Sequence, residues 1–517
     1  MLKIKKIPLF FAYCLFLLVL FIHAVYAEQR EIRILHMNDF HGFAIEYKPF
    51  RSDEVLGGIS YLAGLVDKLR QEKPSVLFAA GDMIQGNNWA NLFQGKSVIE
   101  LMNVMRFDAM VVGNHEFDFG QGVLKERILE AKFPFLGANV EGLSQIQPYT
   151  IKMFEGLKIA IIGVVTEDTP LYAHPKNMVG LKFLSPAETV DKYVKDLRSK
   201  VDIIIVLSHI GFHNDMELAN KVKGIDVIIG GHSHTKPVRH MLIGKTIIVQ
   251  AWEHALALGV LDLIVEDGKI THASSRLEDI KPTLAKKNKA VSLVVEKYRR
   301  SVEAALNGVI GETEVSLDGE NVRARETNLG NLITDIMRQR SGAEVAVING
   351  GAIRASIKKG KVRAGDVYSA LPFDNYIVAV RLTGTQIKEA LEHGLSAMED
   401  GGGRFLQVSG LTFSYASSAG KGPGVKKIFV AGKPIMFNKE YVVATNDFLA
   451  AGGDGYKVFG EALKASKDFS VNGGALKGDK IVYNDAGRWL RDVVIEYIKN
   501  AGKISVEVEG RIKKIGD

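Results

Sequence analysis

Five short blocks of the chain place a ligand-type side chain directly after an apolar run, and together they have the composition of a metal site without sulfur. "NDFHG" supplies Asp39 and His41, "AAGDMIQGN" supplies Asp82, and "VVGNHEFD" supplies Asn114 and His115 with Asp118 just behind them. "VLSHIG" adds His209, and "IIGGHSHT" adds His232 and His234. Asp39, His41, Asp82, Asn114, His209, His232 and His234 make seven nitrogen and oxygen donors. That is too many for one tetrahedral zinc but suits two divalent ions sharing a carboxylate, with Asp82 as the natural bridge. A single D-x-H, or one histidine after a strand, is more often a hydrogen-bonded structural residue. It is the set of five, in order, that carries the reading. Gly81, Gly113 and Gly231 ahead of the ligands fit ordinary tight turns equally well, and Glu116 receives no role beyond strand-end polarity.

The elements that must position these groups are legible as Ile/Val-rich runs from Glu31 to about Arg276: "IRILHMND", "SVLFAAGD", "AMVVGNHE", "KIAIIGVV", "DIIIVLSHIG", "DVIIGGHSH" and "TIIVQAWE". They lack strict alternation, so they predict strands buried on both faces of an α/β layer. In such a sheet the carboxyl ends of the strands converge on one edge, where ligands bind. Asp39 and His41, two apart in an extended segment, would project to the same side. The stretch "KPTLAKKNKAVSLVVEKYRRSVEAAL" predicts a polar, lysine-rich helix with little core face, joining two domains. From about Asn307 a second mixed region follows, punctuated by "NGGAIR", "EDGGGRF" and "AAGGDGY". No internal repeat or low-complexity tract stands out.

At 517 residues, 47% apolar and 24% charged, the chain exceeds one compact core and reads as two or more globular domains. Residues 1–27 carry Lys3, Lys5 and Lys6, an apolar stretch from Leu9 to Ile22, and Val25 and Ala27 as small residues around a cleavage point. This is the pattern of a secretory signal removed after Ala27. Ile7 to Tyr26 is also just long enough to span a bilayer, and the small-residue pattern favours cleavage. Removal takes the formal charge from +7 to +4, with 63 basic against 59 acidic residues. No Lys/Arg block is dense enough for a nucleic-acid groove. The sole cysteine, Cys14, lies within the signal, so the mature chain has neither disulfide nor thiolate ligand.

With these blocks in place the chain resembles a secreted 5'-nucleotidase of the calcineurin-like, two-metal metallophosphoesterase superfamily, over essentially its mature length. The resemblance implies an α/β fold: a four-layered α/β/β/α metallophosphoesterase sandwich over 28–276, a linking helix over 277–306, and a C-terminal mixed α/β substrate-binding domain over 307–517. It implies Asp39, His41, Asp82 and His234 as ligands of one metal, Asp82, Asn114, His209 and His232 as ligands of a second, and His115 with Asp118 as the catalytic pair. Phosphate- and nucleoside-binding positions fall on Arg323 in "VRARETNLGNL", Asn349 and Arg354 in "NGGAIR", Phe373 in "LPF", and Phe448 and Asp454 in "NDFLAAGGDGY". Two phenyl rings can stack on both faces of a base, a carboxylate can accept from ribose hydroxyls, and arginine forks suit phosphate. Phe pairs are also common core residues, and "GGDG" a common turn.

The activity implied is metal-dependent hydrolysis of nucleoside 5'-monophosphates, extending to nucleotide sugars or di- and triphosphates. The alternatives are a 2',3'-cyclic-nucleotide 2'-phosphodiesterase/3'-nucleotidase, against which Asp118 speaks, and a non-catalytic nucleotide-binding relative, against which the complete ligand set speaks. Two divalent ions are implied, with Zn, Mn, Co and Fe equally admissible for His/Asp/Asn donors. The partner is a nucleotide substrate, with no nucleic acid and no stable membrane partner once the signal is gone. The location is periplasmic or secreted, and the sequence does not set the oligomeric state.

Overall fold

In the computed structural model, residues 29–47, 54–283, 286–396, 398, 401–418, 422–466, 470–472, 475–485 and 488–515 are described. Residues 1–27, where the sequence predicts a secretory signal, lie outside them. In chain order the first half contains β1 (Arg30–Met37), α1 (Ile59–Glu72), β2 (Ser75–Ala80), α2 (Lys96–Met105), β3 (Ala109–Val111), β4 (Phe135–Leu136), β5 (Tyr149–Phe154) and β6 (Leu157–Val165). It continues with α3 (Pro186–Leu197), β7 (Ile203–His209), α4 (Phe212–Lys221), β8 (Val227–Gly230), β9 (Met241–Ile243), β10 (Thr246–Gln250), β11 (Ala257–Glu266) and β12 (Lys269–Asp279). These strands form two sheets in the orders β12-β11-β1-β2-β3-β4 and β9-β10-β8-β7-β6-β5.

The absence of alternation in the apolar runs has a direct cause, since both faces of each sheet are covered. In β1, Ile32 and Ile34 join Phe78, Val111, Ile161, Ile205 and Ile229 in a cluster between the two sheets. Leu35 and Met37 pack instead with Leu62, Val66 and Met102 of α1 and α2. The outer face of the second sheet packs Ile204, Val206 and Ile228 against Val190, Val194 and Leu218 of α3 and α4. Helix, sheet, sheet and helix thus make four layers. At roughly 25 cal/mol per Å² of apolar surface removed from water, this double burial is the main force holding the layers together. The ligand-bearing strands β1, β2 and β3 run parallel, as do β7 and β8. Their carboxyl ends therefore open on one edge.

The charged segment before the second half departs from expectation. A helix, α5, occupies Lys289–Leu306, capped by the Asn288 side chain, which accepts the Val291 N–H. It buries Val291, Val294, Tyr298 and Leu306, and the first three belong to the same core as α1 and α2. These residues recur at helical spacing as a narrow apolar stripe that the surrounding Lys, Arg and Glu residues hide in a composition count. Residues 277–279, which the sequence reading put in this segment, belong to β12.

The second half adds α6 (Asn328–Ser341), β13 (Val345–Asn349), β14 (Ile377–Thr383), α7 (Gly384–Leu395), β15 (Leu406–Ser409), β16 (Glu440–Asn446), β17 (Ile481–Asn484) and α8 (Leu490–Ala501). Its mixed sheet has the order β15-β13-β16-β14-β17. Asn349 ends β13 and Asn446 ends β16, two parallel neighbours, which brings "NGGAIR" and "NDFLAAGGDGY" side by side. No helix among the described residues is long and apolar enough to cross a membrane.

Candidate active site

The donors predicted from the five blocks come together where the two sheets meet. Asp39, His41 and His234 offer atoms within 4.8 Å of one another, as do Asp82, His209 and His232. Nε2 of His41 lies 4.0 Å from Oδ1 of Asp39 and 3.9 Å from Oδ2 of Asp82. Nε2 of His209 lies 3.1 Å from the same Asp82 oxygen, so Asp82 sits between the two groups.

The route to this convergence differs from the extended segment expected for Asp39 and His41. β1 stops at Met37, and both residues have left-handed backbones, with φ of 48° and 49°. Asp82, His232 and His234 share that conformation at 54°, 74° and 50°. Left-handed geometry turns the chain sharply and is rare outside glycine, with Asp, Asn and His among the side chains that enter it most readily. Asp39 N–H to Gly81 carbonyl and His41 N–H to Asp82 carbonyl, both 3.0 Å, pin the first loop to the second.

Two glycines are there for close approach. A Cβ on Gly113 would lie 2.2 Å from Oδ1 of Asp82, and one on Gly81, at φ +85°, would lie 2.3 Å from Nδ1 of His209. Glu116, left without a role by the sequence reading, is fully buried. Its carboxylate accepts the N–H groups of Gly113 (2.6 Å), Asp82 (2.8 Å), Met83 (2.7 Å) and Ile84 (3.2 Å). It is the clamp between the "GD" and "GNHE" loops. The "GNHE" motif contained it, but three of its four partners lie some thirty residues away and left no local signal.

The residues present fit divalent ions. Nε2 of His41 and Oδ1 of Asn114 are buried with no hydrogen-bond partner among the described residues, an arrangement that costs free energy unless something takes up their lone pairs. Nδ1 of His41 is bonded to the Gln85 carbonyl and Nδ1 of His209 to the Ala80 carbonyl, at 2.8 and 2.7 Å, which orients the opposite nitrogens inward. Burial holds His41 well below its ordinary range and His232 at about 4, so both imidazoles are neutral and available as ligands. At His209 burial acts in the same direction, but Asp82 and then Asp39 reverse it and raise the ring to about 9. The two carboxylates thus favour positive charge at this point of the pocket.

Above the donors lies a cavity of about 660 Å³ walled by both halves of the chain, within the ordinary size range for small-molecule sites. Of the predicted residues, His41, Asp82, Asn114, His115, Asp118, His232 and His234 line one wall, and Arg323, Asn349, Arg354, Phe373, Phe448 and Asp454 line the other. Asp39 and His209 lie fully buried behind the first wall. His115 and Asp118 stand one short helical turn apart, with Nδ1 of His115 2.6 Å from Oδ2 of Asp118. Burial opposes protonation of His115, and the Asp118 and Asp82 carboxylates outweigh it, so the net shift is upward.

On the facing wall Asn349 donates to Oδ2 of Asp454 at 2.7 Å and accepts from Asn446 at 3.1 Å. Arg354 remains open to water through the cavity, yet protein crowded round it, followed by the like charge of Arg323, pushes its guanidinium down to about 10. Two cations forced together in a cleft make an anion site. The ring of Phe373 stacks at 6.2 Å on that of His115. Sequence reasoning missed Tyr172 and His174, which reach the cavity from the first half. His174 bonds across the cleft to Asp447 at 2.9 Å. It also missed Glu253, whose carboxylate is bonded to Nδ1 of His234.

Residues 32–236 match the family model for calcineurin-like phosphoesterases, and residues 309–461 that for the 5'-nucleotidase C-terminal domain. The chain is 33% identical, over 94% of its length, to a trifunctional nucleotide phosphoesterase of Bacillus subtilis, of which it spans 35%. It is 31% identical to a venom 5'-nucleotidase of the snake Crotalus adamanteus, with 95% of this chain and 90% of that protein covered. The crystal structure of a 5'-nucleotidase precursor from Thermus thermophilus superposes on 94% of this chain and 99% of its own, with a TM-score of 0.81 and 32% identity.

Proposed function

Because the chain belongs to the 5'-nucleotidase family of calcineurin-like phosphoesterases, we propose that it hydrolyses nucleoside 5'-monophosphates to nucleoside and inorganic phosphate. One observation carries the reading. A single cavity has unsatisfied, inward-turned imidazole and amide atoms at its base and, opposite them, a crowded arginine pair beside two phenyl rings and a carboxylate. That arrangement supplies one end for a phosphate and another for a nucleoside.

In this reading Asp39, His41, Asp82 and His234 hold one divalent ion, and Asp82, Asn114, His209 and His232 a second. Bound there, the ions supply an activated water nucleophile and neutralise phosphate charge. Arg323 and Arg354 grip the phosphate oxygens as charge-assisted donors. His115, oriented through Nδ1 by Asp118, leaves its other nitrogen for the transferring phosphoryl group or for protonating the departing ribose oxygen. Phe373 and Phe448 take the base between their faces, and Asp454, held by Asn349, accepts from the ribose hydroxyls. Residues 28–276 supply the metal wall and residues 307–517 the nucleotide wall, so catalysis requires the cleft between them to close on the substrate. The leader-like residues 1–27 support export of the enzyme, to a periplasm or beyond the cell.

Phosphate release from AMP tests the proposal. Activity that disappears on chelation, returns with added divalent ion and is lost in Asp82→Asn supports it. Full activity after chelation and in that variant overturns it. Turnover of AMP beside 2',3'-cyclic nucleotides and UDP-glucose sets the breadth, and restoring one ion at a time to stripped protein identifies the metal.

A further inference from the structure

His41, His209 and His234 each turn one ring nitrogen toward a carboxylate of the metal pocket, and each has the other nitrogen held. For His41 and His209 the holder is a main-chain carbonyl. His234 differs. Its Nε2 lies 3.2 Å from Oδ1 of Asp39, while its Nδ1 is bonded to the carboxylate of Glu253.

Glu253 is itself fixed in place. Ala251 donates its N–H to Oδ1 of Asn38 at 2.8 Å, Asn38 donates to the Trp252 carbonyl at 2.5 Å, and His254 donates its N–H to the Asp39 carbonyl at 2.8 Å. The loop is therefore stapled on both sides of Glu253 to the segment that carries Asp39. Trp252, His254 and Ala255 have positive φ, at 61°, 53° and 55°, a conformation that such residues hold only where their surroundings impose it. The His254 ring wedges the loop further, stacking on Phe43 at 3.8 Å and bonding to the Tyr47 hydroxyl at 2.9 Å.

We propose that Glu253 is a positioning residue for His234: it fixes which ring nitrogen faces the first metal position and makes His234 the more firmly held ligand. The inference rests on the two-metal reading above. Loss of a carboxylate behind a ligating histidine typically weakens metal binding about 10–100-fold. The effect falls on the site that contains His234 before the one that does not.

The test is metal binding rather than turnover. Metal-stripped wild type, Glu253→Ala and Glu253→Gln are titrated with zinc in competition with a chromophoric chelator, and the cobalt-loaded proteins are compared by visible absorption. The expected result is one of the two ions bound about 10–100-fold more weakly in Glu253→Ala. Glu253→Gln, whose amide oxygen still accepts from Nδ1, shows a smaller loss, and the cobalt spectrum changes in both. A Glu253→Ala protein with native circular dichroism and melting temperature that binds both ions as wild type does would overturn the proposal. If that variant fails to fold, unchanged affinity and an unchanged cobalt spectrum in Glu253→Gln overturn it instead. Wild type that binds no ion brings down the two-metal reading itself, whereas wild type with two ions and indifferent variants brings down this inference alone.

Discussion

Glu116 and Asp82 are bound reciprocally through their loops: the Glu116 carboxylate accepts the Asp82 N–H at 2.8 Å, and the Asp82 carboxylate accepts the N–H of His115, the residue before Glu116, at 2.9 Å. Glu116→Ala strips the acceptor from buried N–H groups of Gly113, Asp82, Met83 and Ile84. At about 1 kcal/mol for each orphaned donor, the expected destabilisation is on the order of 4 kcal/mol. Urea unfolding of the metal-free protein measures it, with Glu116→Gln falling between the variant and wild type.

His115→Asn removes the group oriented by Asp118 without touching the metal donors. The expected result is a fall in kcat for AMP of about 10²–10⁴-fold with little change in KM or in metal content. Asp118→Asn shows the same direction with a smaller loss, since the imidazole remains and only its orientation suffers.

Phosphate and base handles are separable by ligand. Arg354→Ala is expected to raise KM for AMP by about 10–100-fold, the worth of a hydrogen bond to a charged group, and to leave inhibition by adenosine unchanged. Phe448→Ala is expected to weaken AMP and adenosine alike by about 1–3 kcal/mol. Steady-state kinetics with adenosine as inhibitor distinguishes the two patterns.

The bond from His174 to Asp447 joins the halves of the chain across the cleft, as does Asn88, which donates to the Gly365 carbonyl at 3.1 Å and to Ser369 at 2.9 Å. Nδ1 of His174 accepts the Lys176 N–H, so its proton sits on Nε2 and is donated to the carboxylate. His174→Ala is expected to cost about 1 kcal/mol of closure, seen as a roughly fivefold higher KM. An unchanged KM would mean that the contact contributes nothing to holding substrate.

Asp215 gives the pH prediction. Its side chain is fully buried under the metal pocket, with Oδ1 accepting from Ser208 at 2.5 Å and Oδ2 lacking a partner among the described residues. Burial, against the opposing Ser208 bond, raises its carboxyl to about 7. A folded value above the unfolded one means that the folded protein binds the extra proton. Stability is therefore fully present below about pH 4 and is lost as pH rises toward 7, by up to about 4 kcal/mol. In metal-free protein, the stability difference between wild type and Asp215→Asn, measured by urea unfolding at pH 5 and pH 8, should shift in favour of the variant at the higher pH.

The strands and the donors at their ends could be read from the sequence because both signals are local. An Ile/Val run marks a doubly covered strand, and a histidine or aspartate directly after it marks what that strand delivers. What stayed hidden depends on partners distant in the chain. Glu116 stood inside a quoted motif, yet three of its four partners come from residues 82–84. Glu253 serves a histidine nineteen residues earlier across an irregular loop, a relation with no periodicity to betray it. The stripe on α5 was concealed by its charged neighbours, and the left-handed turn at Asp39 and His41 by the strand that precedes it.

That left-handed turn recurs at Asp39, His41, Asp82, His232 and His234, and each occurrence costs the fold on the order of 1 kcal/mol. In the two-metal reading it is the main chain itself, bent at these five points, that presents the donors to an ion. Inheritance is constrained as well. A substitution at any of these five positions is screened first by whether the backbone tolerates it and again by whether it can donate a lone pair, and Asp, Asn and His are the side chains that pass both screens.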